Sequence, residues 1–527
     1  METLIDLLRA TCAAHRNKIA LSLHSGLSED AWSYDRLWKA AHAVARHMRQ
    51  AVGLVAGERV IVWGPNCPEL VATYFGVMLA RLIVVPMDPS AKPEYLGRIA
   101  ERTKAVAVVA GFASPDLPGV RTIQLTDLPF GAPGSLIEDY PAPHEIAEIV
   151  FTSGTTGEPK GVILTHANIV ADVRASGNFI PSDSRYRMLS ILPLSHMFEQ
   201  TAGLFVPLSF GSTIFYSQSR QPATMLKIFQ QQHITIMAVV PQVLRLLLDS
   251  IEREVSRQGK TRQWQRAHQL AEHLPMALRR RIFHDVHDKL GGSFQFFICG
   301  GAYLPPSLAM AWERMGIKVV QGYGATECAP IISGNTLRRR VHGSVGTVMP
   351  GMEVRLSAEG EILVKGAIVT QGYWQDEAAT REAFTADGWY RTGDIGEIDR
   401  HGNIYLKGHL KDIVVLASGL NVYPEDVERV LKAEEGVVDC IVLGLRDAAG
   451  NARVHAVVIP AITSGDEHGR IDQAVRRSNA RLSPHQRIKS FTLWEGVDFP
   501  RTNTLKVKRH EVLVGSATSR GGSAAGD

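Results

Sequence analysis

Apolar residues follow two different rhythms along this chain. From Arg59 to about Thr370, short β-branched runs alternate with stretches of helical period; RVIVWG, IVVPM, AVAVVAG, TIFY, TIMAVV, FQFFICGG and IKVVQGYG are examples. Buried strands separated by helices predict α/β layers on largely parallel sheets. METLIDLLRATCAAHRNK has the spacing of an amphipathic helix. ELVATYFGVMLARLIVVPMDP is broken by Arg81 and closed by Pro86, so it reads as a helix and then a buried strand, not a membrane span. The texture changes from Gly360. GEILVKG, GEIDRHGNIYLKG and KDIVVLASG predict short strands with turns such as His401-Gly402-Asn403. YPEDVERVLKAEEG predicts a helix with Pro424 at its first position and Gly436 as its stop, and VVDCIVLG, VHAVVIP and IDQAVRRSNARL add two strands and a helix. The expected architecture is a large multi-sheet α/β domain over residues 1–410 and a smaller α+β domain over 411–511. The Gly/Ser/Ala-rich end, 512–527, cannot build a core and is expected to be a disordered tail.

Composition narrows the function classes. A chain of 527 residues exceeds one hydrophobic core, and 45% hydrophobic with 21% charged residues is ordinary for a globular protein. A net charge of +4 is too small to indicate a nucleic-acid partner and suits small anionic ligands. The five cysteines are odd in number, far apart and form no CxxC pair, which argues against a disulfide framework or a zinc site and fits a cytoplasmic setting. The N-terminus lacks the features of a signal peptide.

The candidate chemistry begins at FTSGTTGEPKGV, residues 151–162, where seven residues are Ser, Thr or Gly and Lys160 stands near the end. Such a loop is by default only a loop. Here glycines would let backbone N–H groups approach an anion, hydroxyls would add donors and Lys160 would bring charge. EIVF and GVIL on its flanks read as strands. A Walker A loop runs into a helix, and its Gly-Lys spacing fails here because Lys160 lies three residues after Gly157. HDVHD, residues 284–288, offers His284 and His287 but no third ligand, so a metal site there is not expected.

SGTTGEPKGV resembles the signature loop of the adenylate-forming superfamily. LPLSHMFEQ from Leu192, QGYGATECAPIIS from Gln321, YRTGDIGEID and KDIVVLASGLNVYPEDVE resemble further motifs of that superfamily in the same order, and the likeness is greatest to long-chain fatty acyl-CoA synthetases. It runs from near the N-terminus to Arg509. It implies an adenylate-forming N-terminal domain and a mobile C-terminal one. It also implies a two-step reaction: a fatty acid and ATP, with Mg²⁺, give acyl-AMP, and CoA then takes the acyl group.

The resemblance also assigns roles. Thr152, Ser153, Gly154, Thr155, Thr156, Gly157 and Lys160 would hold the β- and γ-phosphates. Thr326 would donate to the α-phosphate, and Glu327 would be the protein ligand to Mg²⁺. Tyr323, within Gln321-Gly322-Tyr323-Gly324, would stack on adenine, with Gly300, Gly301 and Ala302 as a flat wall. Asp394 would accept from both ribose hydroxyls. His196 would line the carboxylate and α-phosphate region, and Val240, Pro241 and the helix after His196 would wall an apolar acyl tunnel. Lys506, in FPRTNTLKVKR, would bridge the attacking carboxylate and the α-phosphate, with Lys508 and Arg509 as solvated neighbours. Lys411 would be a hinge, and the segment around Gly419 would serve thioester formation.

Three positions depart from the superfamily pattern. His409 stands where a nucleotide-contacting Arg is usual, and a histidine is mostly neutral at pH 7. Leu505 replaces Gly before the catalytic Lys, and Leu420 stands where close relatives often carry Lys. Two other readings remain: a fatty acyl-AMP ligase that loads a carrier protein, which usually has an insertion not evident here, and a non-catalytic acyl- or nucleotide-binding relative, against which Glu327 and Lys506 argue. A homodimer and peripheral contact with a membrane are compatible with the leading reading.

Overall fold

The computed structural model describes residues 2–25, 28–113, 115–153, 159–217, 219–416, 420–446, 452–461, 466–501, 507–509 and 511–513. The chain divides into two compact units. The first takes Met1–Val354, Val364–Tyr390 and Arg400–Asn403; the second takes Arg355–Leu363, Arg391–Asp399 and everything from Ile404.

Two sheets build the first unit. In the six-stranded sheet the order is Arg121–Gln124, Ala107–Ala110, Arg59–Trp63, Ile83–Met87, Ile146–Ser153, Pro159–Thr165. All neighbours are parallel except the last pair. Ile83–Met87 is buried at all five positions, which explains its unbroken apolar run. The nine-stranded sheet runs Thr347–Val348, Ile331–Gly334, Lys318–Gly324, Phe296–Cys299, Ile236–Val239, Arg187–Ser190, Thr213–Ser217, Ile19–Ser25, Ser28–Ser33. It is parallel from Lys318–Gly324 to Ile19–Ser25 and antiparallel at both edges. Helix Pro68–Leu79 buries every residue but Glu69, because it packs on strands of both sheets. Among the described residues, no helix is long and apolar enough to cross a membrane.

In the second unit, Val437–Arg446, Ala452–Pro460 and Ser490–Leu493 form a three-stranded sheet. Helices Pro424–Lys432 and Glu467–Arg481 cover it through a shared core that includes Val427, Leu431, Val442, Ala456, Ile471 and Val475. Gly436 does not stop the first of these helices. The helix ends at Lys432, a turn carries Glu434 N–H back to the Leu431 carbonyl, and Gly436, with φ +90°, swings the chain into the next strand. The sequence expectation places Val512 in the tail. It is instead fully buried beside Ile441, Val457 and Phe499, so apolar packing extends through it. Residues 514–527 lie outside the described residues.

Candidate active site

The loop that opened the chemical reading leaves a hairpin. Ile146–Ser153 and Pro159–Thr165 pair antiparallel, with Thr152 opposite Lys160 and Ser153 opposite Pro159. Thr152 and Lys160 therefore stand side by side at the hairpin mouth. Gly154, Thr155, Thr156 and Gly157 lie outside the described residues, as does the Ser153 side chain. The Lys160 ammonium lies 5.1 Å from the centroid of the Tyr373 ring. The Tyr373 phenol donates a 2.9 Å hydrogen bond to Glu327 Oε1. Burial raises the Tyr373 phenol above its ordinary value, and the neighbouring Glu327 carboxylate pushes it the same way, so the phenol stays a neutral donor.

Glu327 is presented by a tight local structure. Strand Lys318–Gly324 carries Gln321, Gly322, Tyr323 and Gly324 to its C-terminal end and pairs there with Ile331–Gly334. Gly324 has no room for a side chain, since a Cβ would overlap the Pro330 carbonyl. Ala325 N–H donates to that carbonyl at 2.9 Å, and Thr326–Cys328 then makes one 3₁₀ turn. Ala329 follows in the left-handed region, φ +58°. The turn is held from behind: Asp172 Oδ1, on a fully buried carboxyl, accepts from Ile331 N–H at 3.3 Å. Gly300, Gly301 and Ala302 leave the adjacent parallel strand, where Cys299 pairs with Gln321. Gly300 lies against the Phe198 ring, and Gly301 takes φ +80°. Tyr323 and the Gly300–Ala302 segment thus share the carboxyl edge of neighbouring parallel strands, where open α/β sheets bind their ligands.

His196 is not a core histidine, for its side chain is 36% exposed. Asn66 holds its loop with both ends of one carboxamide, donating to the Leu192 carbonyl at 2.7 Å and accepting from Leu194 N–H at 3.1 Å. The Nε2 of His196 lies 3.3 Å from Asp88 Oδ2. Burial opposes ionisation of Asp88, but His196 and both hydrogen bonds from Ser90 outweigh it and hold the carboxyl at about 2. Helix after His196 is irregular, with a π segment over Gln200–Phe205, and a Cβ on Gly203 would overlap the buried Glu199 carboxyl. The two histidines of HDVHD diverge: buried His287 meets the Met315 carbonyl at 2.8 Å, while His284 is 69% exposed and 2.8 Å from Asp285.

Residues 8–374 match the profile of the AMP-binding enzymes. The chain belongs to that family. Long-chain-fatty-acid–CoA ligase FadD15 of Mycobacterium bovis is 28% identical, with 88% of this chain and 87% of that protein covered. Long-chain-fatty-acid–CoA ligase of Bacillus subtilis is 26% identical, covering 97% and 94%. The solved structure of ATP-bound MatB from Rhodopseudomonas palustris superposes with a TM-score of 0.83 at 24% identity over 97% of this chain and 98% of that one, which shows a shared fold.

In this member of the AMP-binding family, the second unit carries Asp394 and His409 opposite each other in the hairpin of Tyr390–Ile398 and Ile404–His409. The His409 Nδ1 is paired with the Asp394 carboxylate. That hydrogen bond raises the imidazole above its ordinary value against burial, with Glu425 and Asp412 adding to it. The expectation of a mostly neutral histidine is therefore shifted, because its acidic partner favours the protonated imidazole. Lys411 is exposed in a 3₁₀ turn. Gly419, Leu505 and Lys506 lie outside the described residues. Arg509 is corrected too. It is not a solvated neighbour but donates to Glu428 Oε1 at 2.8 Å and to the Val442 carbonyl at 3.1 Å, because buried Glu428 needs a cation. Sequence reading missed Tyr373, Asp88, Asn66 and Asp172. Their partners are distant in sequence, and GYW and MDP carry no chemical signature alone.

Proposed function

We propose that the protein is an ATP- and Mg²⁺-dependent ligase that activates a long-chain fatty acid and joins it to CoA. The observation that supports this most is the grouping of Lys160, Tyr373 and Glu327, which brings the exit of the Ser/Thr/Gly loop to the acidic turn after QGYG. Membership of the AMP-binding family and two relatives named as long-chain-fatty-acid–CoA ligases support the substrate class.

Chemically, a carboxylate oxygen attacks the α-phosphorus and pyrophosphate leaves, giving acyl-AMP. The thiolate of CoA then attacks the acyl carbon and AMP leaves. The first step brings anion to anion, so positioning and charge neutralisation dominate it. Lys160 and the Thr152 hydroxyl take the outer phosphates. Tyr323 stacks on adenine, and Thr326 donates to the α-phosphate. Asp394 accepts from the ribose diol, and His196, held by Asp88 and Asn66, lines the carboxylate. Lys506 bridges the reacting groups; its role and those of Lys411 and Gly419 rest on the resemblance. Glu327 fits Mg²⁺. Among the described residues no cluster of three or more His, Cys, Asp or Glu could hold a metal, and one carboxylate with phosphate oxygens and water is a normal magnesium set. Bound there, the ion would supply charge neutralisation.

Acid-dependent ATP–pyrophosphate exchange over a series of straight-chain fatty acids, with and without CoA, tests the reading beside Lys506→Ala. Exchange that peaks with long chains, collapses in the variant and yields acyl-CoA is expected. Exchange without acyl-CoA would move the acceptor to a carrier protein, and folded protein with no exchange would refute ligase chemistry.

A further inference from the structure

The segment from Thr370 to Trp374 belongs to none of the motifs singled out above, yet it braces two of them. On one side it runs beside the strand that leaves the phosphate loop. Ile163 N–H donates to the Gly372 carbonyl at 3.1 Å, Trp374 N–H donates to the Gly161 carbonyl at 2.7 Å, and Val162 bridges to Tyr373. On the other side it holds Glu327 twice. Thr370 N–H donates to the Glu327 carbonyl at 2.8 Å, and the Tyr373 phenol donates to the Glu327 carboxylate at 2.9 Å. The brace is itself fixed, since Tyr373 N–H donates to Thr380 Oγ1 at 2.9 Å and Gly372 lies at φ +138° against the Thr380 side chain.

One side chain in this brace touches both charged groups. Tyr373 is 9% exposed, with the Lys160 ammonium over its ring and the Glu327 carboxylate on its hydroxyl. A glutamate on a short turn has several rotamers open to it, and a lysine has more. Left to themselves, opposite charges on a turn and on the strand beside it would pair with each other. A phenol between them gives each a different partner, a hydrogen bond for the anion and a π face for the cation. Neither charge is then spent on the other, at a site meant to take phosphate and a divalent ion.

We propose that Tyr373 is a positioning residue for the metal–nucleotide site: its hydroxyl aims the Glu327 carboxylate, and its ring holds Lys160 apart from it. This rests on the assignment of Glu327 and Lys160 in the proposed function. It extends that assignment to the residue through which the two act together. Outer partners of this kind orient a metal ligand, and their removal typically weakens metal affinity by about 10-fold or more.

The test is calorimetric ATP binding by the full chain, first in EDTA and then across a Mg²⁺ titration, with thermal melting as a check of folding. Tyr373→Phe removes one oxygen and keeps the ring. It should bind ATP in EDTA within about twofold of wild type while its half-saturating Mg²⁺ rises about 10-fold. Tyr373→Leu removes the ring as well and should also weaken ATP binding in EDTA. In a Glu327→Gln background, adding Tyr373→Phe should change nothing further, because the hydroxyl acts through that carboxylate. Tyr373→Phe with an unaltered Mg²⁺ titration, or with equal losses in EDTA and in Mg²⁺, overturns the proposal. Wild-type protein whose ATP affinity ignores Mg²⁺ refutes the metal assignment to Glu327 and this inference with it, an outcome visible before any variant is compared.

Discussion

Glu148 sits where the fold has no use for a charge. It lies on strand Ile146–Ser153, opposite Leu164 in the hairpin and beside Val84, and it is fully buried. Among the described residues neither carboxyl oxygen, nor Oε1 of Gln200 beside it, has a hydrogen-bond partner of good geometry. Burial raises the carboxyl from 4.5 to about 8, with Gln200 offsetting only part of the effect. A neutral acid would resolve the arrangement, because its O–H could donate to Gln200 Oε1. Folding then carries a proton. Between 4.5 and about 8 the folded chain keeps a proton that the unfolded chain has released. The stability from this group is therefore full below 4.5 and is lost as pH rises towards 8, at about 1.4 kcal/mol per pH unit. Glu148→Gln is neutral at every pH, has the same shape and keeps a donor for Gln200. The stability difference between wild type and E148Q should move by about 2 kcal/mol in favour of the variant between pH 6 and pH 8. Urea unfolding followed by tryptophan fluorescence at pH 6, 7 and 8 measures this, since Trp32, Trp63 and Trp312 are buried in the first unit. Buried Glu199, also raised to about 8, contributes equally to both proteins and cancels. Parallel stability curves for the two proteins would refute the reasoning.

Gly324→Ala would drive a Cβ into the Pro330 carbonyl, which flexible side chains cannot relieve; a loss of at least about 1–3 kcal/mol in chemical denaturation, with weakened ATP binding, is expected. Asp172 is fully buried and burial holds its carboxyl well above the ordinary range, so Asp172→Asn should unfold at nearly the wild-type urea concentration. Asp172→Ala leaves Ile331 N–H without that acceptor and should cost about 1–3 kcal/mol in the same assay. His409→Arg should remove a pH dependence: wild-type ATP affinity should weaken as pH rises through the raised histidine value, above 6.5, while the variant stays flat between pH 6 and 9. Matching pH profiles for the two would refute the assignment of charge at His409.

Local signals carried most of the fold. Ile83–Met87 and Phe296–Cys299 announce themselves because strands buried on both faces are apolar throughout. The flanks of the Ser/Thr/Gly loop were legible as strands for the same reason, and their pairing places Thr152 opposite Lys160. What escaped the sequence is contact across distance. Tyr373 and Glu327 are 46 residues apart and meet only because Thr370–Trp374 runs beside the strand Pro159–Thr165. Asp88 directly follows a strand of the six-stranded sheet, and His196 lies in the loop after a strand of the nine-stranded one. Arg509 looks like one more member of a basic run, and only the burial of Glu428 gives it a fixed partner.

His409 shows how pairing changes the meaning of a substitution. Judged by residue type alone, histidine in place of arginine deletes a cation, since the free imidazole is mostly neutral at pH 7. The strand register sets His409 opposite Asp394, and Glu425 and Asp412 add to the field. All three carboxylates favour the imidazolium, so the neighbours work against the loss of charge that residue type implies. The stability of this pair is present below 6.5 and is lost as pH rises past the raised value. The exchange is still not neutral. An arginine would hold its charge at any physiological pH and could fork across two acceptors. The half-exposed imidazole places one nitrogen on the same carboxylate that the ribose diol is proposed to use. As pH rises, loss of the imidazolium proton removes a positive charge from the nucleotide's side of that carboxylate, a coupling that a fixed cation at position 409 does not impose.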